Sequence, residues 1–363
     1  MTCITVEGFD HMSSPALMAA KLWDWVPDPI NFWRMDFPAG RVTGRSMRIG
    51  DNIGQYGSMT MQMAKVLSTN YTQFVCGFAL RIDRAPHLGG TPPIVWRFSN
   101  PSNGSVLDIR VTSDERLALY TGGGGLIAQT AVGVFTYNAW HFVEVKAVIN
   151  GASSTVAAQV DGGLVITSTP TNLGTTGVHF IGPFSVWNGS DTWEPTLGNY
   201  LSFDDMYFFD TSAAPNNDFV GDVRVETIYP NAAGTHNDWT PDSGTNWQRV
   251  SEHTSAPYPD DDSSYVRANT PGYLDSYNFN DLSIISGTIY AVQTNVYARK
   301  EDTALHKIDV LVRSGGSDYL GPDHTVASGY TDFTDMYETD PATAAAWTIA
   351  GVNAAEFGQK LVV

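Results

Sequence analysis

Residues 140–149, WHFVEVKAVI, change character at every step. His141, Val143, Val145, Ala147 and Ile149 make one nearly apolar set, and Trp140, Phe142, Glu144, Lys146 and Val148 make a mixed one. Successive side chains of an extended chain point to opposite faces, so this pattern is a strand with one face on a core. Two further runs, 155–160 and 164–168, meet across Asp161-Gly162-Gly163. Asp-Gly and Gly-Gly both supply the positive φ that a two-residue hairpin turn demands. The two placements differ by one residue, which swaps the faces of one strand. The run LSFDDMYFFD at 201–210 alternates again, interrupted by Phe208-Phe209. These strands predict the tail of an antiparallel sandwich.

The rest of the chain extends the same pattern. FVCGFALRI at 74–82 and the runs 94–98, 106–111 and 117–120 are strands. The glycines at 122–125 lead into LIAQTAVGVF, a further strand, so they form a hairpin loop rather than a phosphate cradle, which needs a following helix. Ser14-Pro15 is a helix-start signal and predicts one short helix near 15–25. Met59, Met61 and Met63 alternate with polar residues and read as core filling on a strand. A small, polar, turn-rich stretch at 211–219 marks a boundary, with a strand expected in GDVRVETIYP after it. Beyond an irregular stretch at 231–262, the runs 289–299, 307–313 and 347–349 read as strands. AAEFGQKLV near the end fits a strand or one helical turn.

The W-h-x-E-h-x strand, the D-G-x-x-h hairpin and the F-D-D-h-Y-h-h-D strand together resemble the concanavalin A-like (laminin G-like) jelly roll. Followed by NDFVGDVRVETIYP at 217–230, the run is similar to the version found in bacteriophage virion proteins. The resemblance implies an all-β fold, with a jelly-roll sandwich over 1–215 and a second, smaller β-sandwich-like domain over 216–363. It implies a non-enzymatic structural or accessory component of a bacteriophage particle, on the tail, collar or capsid surface. Such a protein is made in the host bacterial cytoplasm, carried in the virion and held by other virion proteins. A carbohydrate-binding adhesin that contacts host glycan is the first alternative, and a glycan hydrolase the second.

Composition narrows the partners. The 363 residues carry 20 Lys and Arg against 38 Asp and Glu, a net charge of −18. Nucleic acid and anionic membrane both call for basic surface, so neither is an expected partner. No run approaches the roughly 18 apolar residues of a membrane-spanning helix, and the first residues lack the basic and apolar regions of a signal peptide. Only 16% of residues are charged while Trp, Tyr and Phe fall in loop-like segments, a pattern of partner-covered surface that predicts a homo-oligomer or a docked protein. Cys3 and Cys76 read as two reduced, buried thiols, with a single disulfide as the alternative.

No catalytic constellation is visible. Glycosidases flank the scissile bond with two carboxylates, and jelly-roll members usually place them on one strand as E-x-D-x-E or E-x-D-x-x-E, which this chain lacks. Glu144 reads as one half of an exposed ion pair with Lys146. Asp204-Asp205 reads as a turn-holding pair that accepts backbone N–H bonds, with calcium as the alternative occupant. Asp260-Asp261-Asp262 reads as a solvated loop. The eight histidines are scattered, His141 being a core histidine, and no Gly-x-Ser-x-Gly elbow occurs. The enzyme expectation is therefore negative. Aromatic rings remain. Trp187 and Trp193, with Asn188 and Asp191 between them, are the ligand-binding candidates, since a ring can stack on a sugar while amides and acids hydrogen-bond it. Trp239, Trp247 and Asn237 have the same character.

Overall fold

The computed structural model describes residues 2–12, 23, 35–50, 59–83, 92–187, 200–251 and 259–363. It divides into two compact units, one of residues 2–10 and 14–225 and one of residues 226–363 with 1 and 11–13. The helix expected near 15–25 lies outside the described residues, apart from Trp23.

The first unit is an all-β sandwich of jelly-roll type, built from two antiparallel sheets. Its strands are β1 (Cys3–Glu7), β2 (Met35–Asp36), β3 (Met47–Gly50), β4 (Met59–Gln62), β5 (Lys65–Tyr71), β6 (Gln73–Ile82), β7 (Ile94–Ser99) and β8 (Ser105–Val111). They continue as β9 (Leu117–Thr121), β10 (Leu126–Gln129), β11 (Trp140–Val148), β12 (Thr155–Val160), β13 (Gly163–Thr167), β14 (Val178–Trp187) and β15 (Tyr200–Asp210). One sheet runs β13-β12-β11-β6-β15-β3-β2 with β1 on β15, and the other runs β10-β9-β8-β7-β14-β4 with β5 on β14. The apolar face of β11 meets β6 in register, His141 opposite Leu80, Val143 opposite Phe78 and Ala147 opposite Phe74. Rings then join the two sheets: Phe78 stacks on Trp96 at 4.1 Å and Phe74 lies 5.0 Å from Phe98. Burying each such side chain contributes about 1.5–3 kcal/mol.

Two open points of the sequence are resolved. The hairpin between β12 and β13 turns on Asp161-Gly162, with φ of 51° and 76°, so Val160 pairs with Gly163. Cys3 and Cys76 are free, buried thiols. One expectation is corrected. Glu144 is fully buried rather than exposed, and Lys146 pairs with Asp218 instead, at 3.0 Å. The mixed face of β11 is covered by residues 217–225, which pack within the same unit: the backbone N–H groups of Val220 and Gly221 both donate to Glu144 Oε1 at 3.0 Å. The Tyr207 hydroxyl donates to the same oxygen. Gly77 makes this packing feasible, since a Cβ there would lie 2.2 Å from the Tyr207 ring.

The second unit is a smaller β-sandwich-like domain. Its strands are β16 (Pro230–Asn237), β17 (Thr240–Pro241), β18 (Val266–Arg267), β19 (Leu274–Phe279), β20 (Val292–Ala298), β21 (Lys307–Ser314), β22 (Ser317–Leu320), β23 (His324–Thr325), β24 (Thr331–Tyr337) and β25 (Glu356–Leu361), with short helices α1 (Asn246–Arg249) and α2 (Ile349–Ala354). The main sheet is β16-β19-β25-β21-β22 with β23 on β21, and β20 pairs with β24. Val296 and Ala298 of β20 pack on Ile308, Phe333 and Leu361, which gives the unit its apolar interior. Two sequence readings change here: the stretch expected as a strand before Pro230 is irregular, and the run 347–349 leads into α2. Of the two alternatives for AAEFGQKLV the strand is the one formed, and it becomes the central strand β25.

Candidate functional site: the outward face of the second jelly-roll sheet

Strands β7 and β8 each interrupt an apolar run with charge. In β7 the core takes Trp96 and Phe98 and leaves Arg97 between them; in β8 the core takes Leu107, Ile109 and Val111 and leaves Asp108 and Arg110. Period two therefore sends Arg97, Asp108 and Arg110 to the outward face. Register aligns Gly182 of β14, Arg97, Asp108 and Tyr120 of β9 in one row across four strands.

Asp108 is the hub of the row. Arg97 grips it with two bonds, Nε to Oδ1 at 2.8 Å and Nη2 to Oδ2 at 3.1 Å. Arg110 Nη2 lies 3.5 Å from Oδ2, and the Ser105 hydroxyl donates to Oδ1 at 2.8 Å. Arg110 also donates from Nη1 to the Pro92 carbonyl at 3.1 Å. Each guanidinium lies over a ring, Arg97 at 3.6 Å from the Phe184 centroid and Arg110 at 4.4 Å from that of Tyr120. Planar guanidinium suits both contacts, bidentate on a carboxylate and flat on a ring. The side chains of Arg97, Asp108 and Arg110 are 19%, 2% and 10% exposed, so these charges are largely out of water, where polar contacts strengthen and unmet ones become costly. Two atoms on this face are unmet: Arg110 Nε and Ser99 Oγ are buried with no hydrogen-bond partner among the described residues. Two arginines against one aspartate leave one positive charge. A fixed, positive, partly desolvated pair of guanidiniums beside two rings is suited to a carboxylate carried on a ring-shaped ligand.

The ligand-binding residues expected from the sequence fall as follows. Trp187 ends β14, three residues beyond Phe184, with its backbone paired to Met59. Asn188, Asp191 and Trp193 lie outside the described residues. Trp239, Trp247 and Asn237 all line one cleft of about 310 Å³ in the second unit. Asp204 and Asp205, weighed as calcium ligands, are engaged by donors within the protein. Asp204 accepts from the N–H groups of Arg41 and Asp205, at 2.7 and 2.9 Å; Asp205 accepts from Val225 N–H at 2.7 Å and pairs with Arg41 Nε at 2.8 Å. Burial, then the neighbouring Asp205, pushes the Asp204 carboxyl up to about 8. Sequence reasoning missed Arg97 and Arg110. The available signal was a charge at the centre of each of two neighbouring apolar strands, VWRF and LDIR.

No family model and no curated protein sequence matches the chain. Solved structures are similar at low identity. The marine PL-14 alginate lyase from Aplysia kurodai is 13% identical with a TM-score of 0.42, over 57% of this chain and 99% of that one. The catalytic domain of the glycoside hydrolase family 131 protein from Coprinopsis cinerea is 14% identical with a TM-score of 0.38, over 61% and 99%. The carbohydrate-binding module CBM66 from Bacillus subtilis is 13% identical with a TM-score of 0.29, over 48% and 91%. Likeness at this level concerns the fold. These findings correct two expectations. The non-enzymatic bacteriophage component is withdrawn, because the similar structures just described are named as an alginate lyase, a glycoside hydrolase catalytic domain and a carbohydrate-binding module. The negative enzyme expectation falls with it. It rested on the missing carboxylate pair.

Proposed function

We propose that the chain is a polysaccharide-active protein whose jelly roll grips an acidic glycan on the outward face of its second sheet and cleaves it by elimination. The observation that carries this reading is the arginine pair, Arg97 and Arg110, held on Asp108 between the rings of Phe184 and Tyr120. The composition of the sheet points the same way. Among the strands β4, β5, β7, β8, β9, β10 and β14, Asp108 is the only carboxylate, and it is already bound by two arginines and a serine. Hydrolysis by an acid and a base carboxylate finds no pair on these strands. Elimination has a different need. A guanidinium neutralises the uronate carboxylate and so acidifies the proton on the adjacent ring carbon. A base takes that proton, the neighbouring carbon–oxygen bond breaks, a carbon–carbon double bond forms, and the departing oxygen is protonated. Tyr120, under Arg110, supplies the phenol for proton transfer.

The test is incubation with a panel of uronate-containing polysaccharides, following the ultraviolet absorbance of an unsaturated product alongside reducing ends. The reading predicts that both rise together, and that Arg97→Ala and Tyr120→Phe suppress both by about 100-fold or more. Reducing ends without unsaturation would replace elimination with hydrolysis. No cleavage of any acidic polysaccharide would refute the catalytic part.

A further inference from the structure

The second unit contains a solvent-open cleft that the jelly-roll face does not explain. It is about 310 Å³ in volume, at the lower end of the roughly 300–1,000 Å³ usual for small-ligand sites. It is lined by Trp239 and Trp247, both half-buried, and by Asn237 and Thr240, both exposed. The frame around it is rigid. Asn246, in its floor, is buried and donates both to the Trp239 carbonyl at 2.8 Å and to Asp275 Oδ2 at 2.7 Å. Trp239 is pinned from the other side, its Nε1 donating to the Tyr273 carbonyl at 3.2 Å and its ring packing on Ile308, Val326, Phe333 and Leu361. Arg249 binds Asp242 with two bonds, at 2.6 and 2.7 Å, and donates to the Ser263 carbonyl at 2.8 Å, which fixes α1, the short helix that carries Trp247.

Charge selects the ligand class. Residues 226–363 carry 7 Lys and Arg against 19 Asp and Glu, and none of the residues lining the cleft is basic. An acidic glycan is repelled here. A protein segment would bring a backbone whose groups need pairing, and the cleft's volume admits only one or two rings. Flat apolar faces edged by an amide and a hydroxyl match a pyranose, which is apolar on its face and hydroxylated at its rim.

We infer that this cleft is a second carbohydrate-binding site, specific for a neutral pyranose or the neutral end of a glycan chain. Binding there presents substrate to the protein without competing for the arginine face. The site stands on its own geometry and does not require that the jelly roll be an enzyme.

The experiment uses the full chain against an array of neutral and acidic oligosaccharides, with titration calorimetry on each neutral hit. Retention of at least one neutral oligosaccharide is expected, with Trp247→Ala and Asn237→Ala each weakening it by about ten-fold or more and Arg97→Ala leaving it unchanged. Trp247→Phe is the control for folding, and should retain an intermediate affinity because it keeps a stacking face. The inference is overturned by retention of no neutral oligosaccharide, by binding that survives Trp247→Ala and Asn237→Ala alike, or by binding lost only in variants that also unfold. Loss of acidic-glycan binding in Arg97→Ala with neutral binding intact would separate the two sites. Self-association abolished by Trp247→Ala, with no sugar bound, would assign the cleft to a second copy of the chain and overturn the inference too.

Discussion

At the scale of single residues, two buried carboxylates show how context assigns a role. Glu144 sits where the sequence places a solvated acid, yet it caps the 217–225 segment and the Tyr207 hydroxyl through one oxygen, while Oε2 is buried without a partner among the described residues. Glu144→Gln keeps the accepting oxygen and removes a buried charge, so its unfolding free energy should stay within about 1 kcal/mol of the parent. Glu144→Ala leaves three donors unmet and should cost about 3 kcal/mol or more, read by denaturant titration. Equal losses in the two variants would contradict the capping role. Asp204 gives a pH dependence. Its folded carboxyl is pushed up to about 8, against 3.8 as the ordinary value, so between those limits the folded state holds a proton that the unfolded state has released. Stability is then highest near the acid end of that window and falls as pH rises through it. Denaturant midpoints should drop from pH 5 to pH 8, and Asp204→Asn should shrink the drop; an unchanged slope would show that Asp204 does not contribute it.

At the scale of elements, the legible parts were those whose period and turn chemistry agree. The alternation of β11 named its core face correctly, and Asp-Gly named the β12–β13 hairpin to within one residue because both placements satisfy positive φ. What the sequence hid was the covering of an outer face. Period two separates the faces of a strand but does not say whether a mixed face meets water or another segment, so Glu144 and Lys146 looked alike. The arginine site was hidden for a related reason: it joins charges from different strands, and only register brings Arg97 beside Asp108. In the second unit, Glu356–Leu361 is short and contains a glycine and a lysine, yet it becomes the central strand because Gly358 lets β19 approach, where a Cβ would lie 1.9 Å from the Asp275 carbonyl oxygen. The 217–225 segment makes a testable claim. A fragment ending at 215 loses the backbone donors to Glu144 and Asp205 from Val220, Gly221 and Val225, whereas one ending at 225 keeps them. The longer fragment should melt several degrees higher, since about 2–3 kcal/mol shifts a domain of this size by roughly 5–10 °C. Equal melting temperatures would mean that the segment adds no stability.

At the scale of the whole molecule, charge divides the labour. Residues 1–225 carry 13 Lys and Arg against 19 Asp and Glu, and residues 226–363 carry 7 against 19, so the second half is the more acidic. An acidic polysaccharide must reach a local positive pair through a repulsive field. Moderate salt screens that field over about 10 Å at 0.1 M, while the close guanidinium contacts are screened less. The account rests on one claim, that Arg97 and Arg110 read a carboxylate. The direct test compares one uronate-containing polysaccharide with its carboxyl-reduced form, in which each carboxylate has become a neutral alcohol on an otherwise identical chain. The account predicts that the parent protein binds the native polymer at least about ten-fold more tightly than the reduced one, and that Arg97→Ala with Arg110→Ala abolishes the difference. Equal affinity of the parent protein for the two polymers would contradict it.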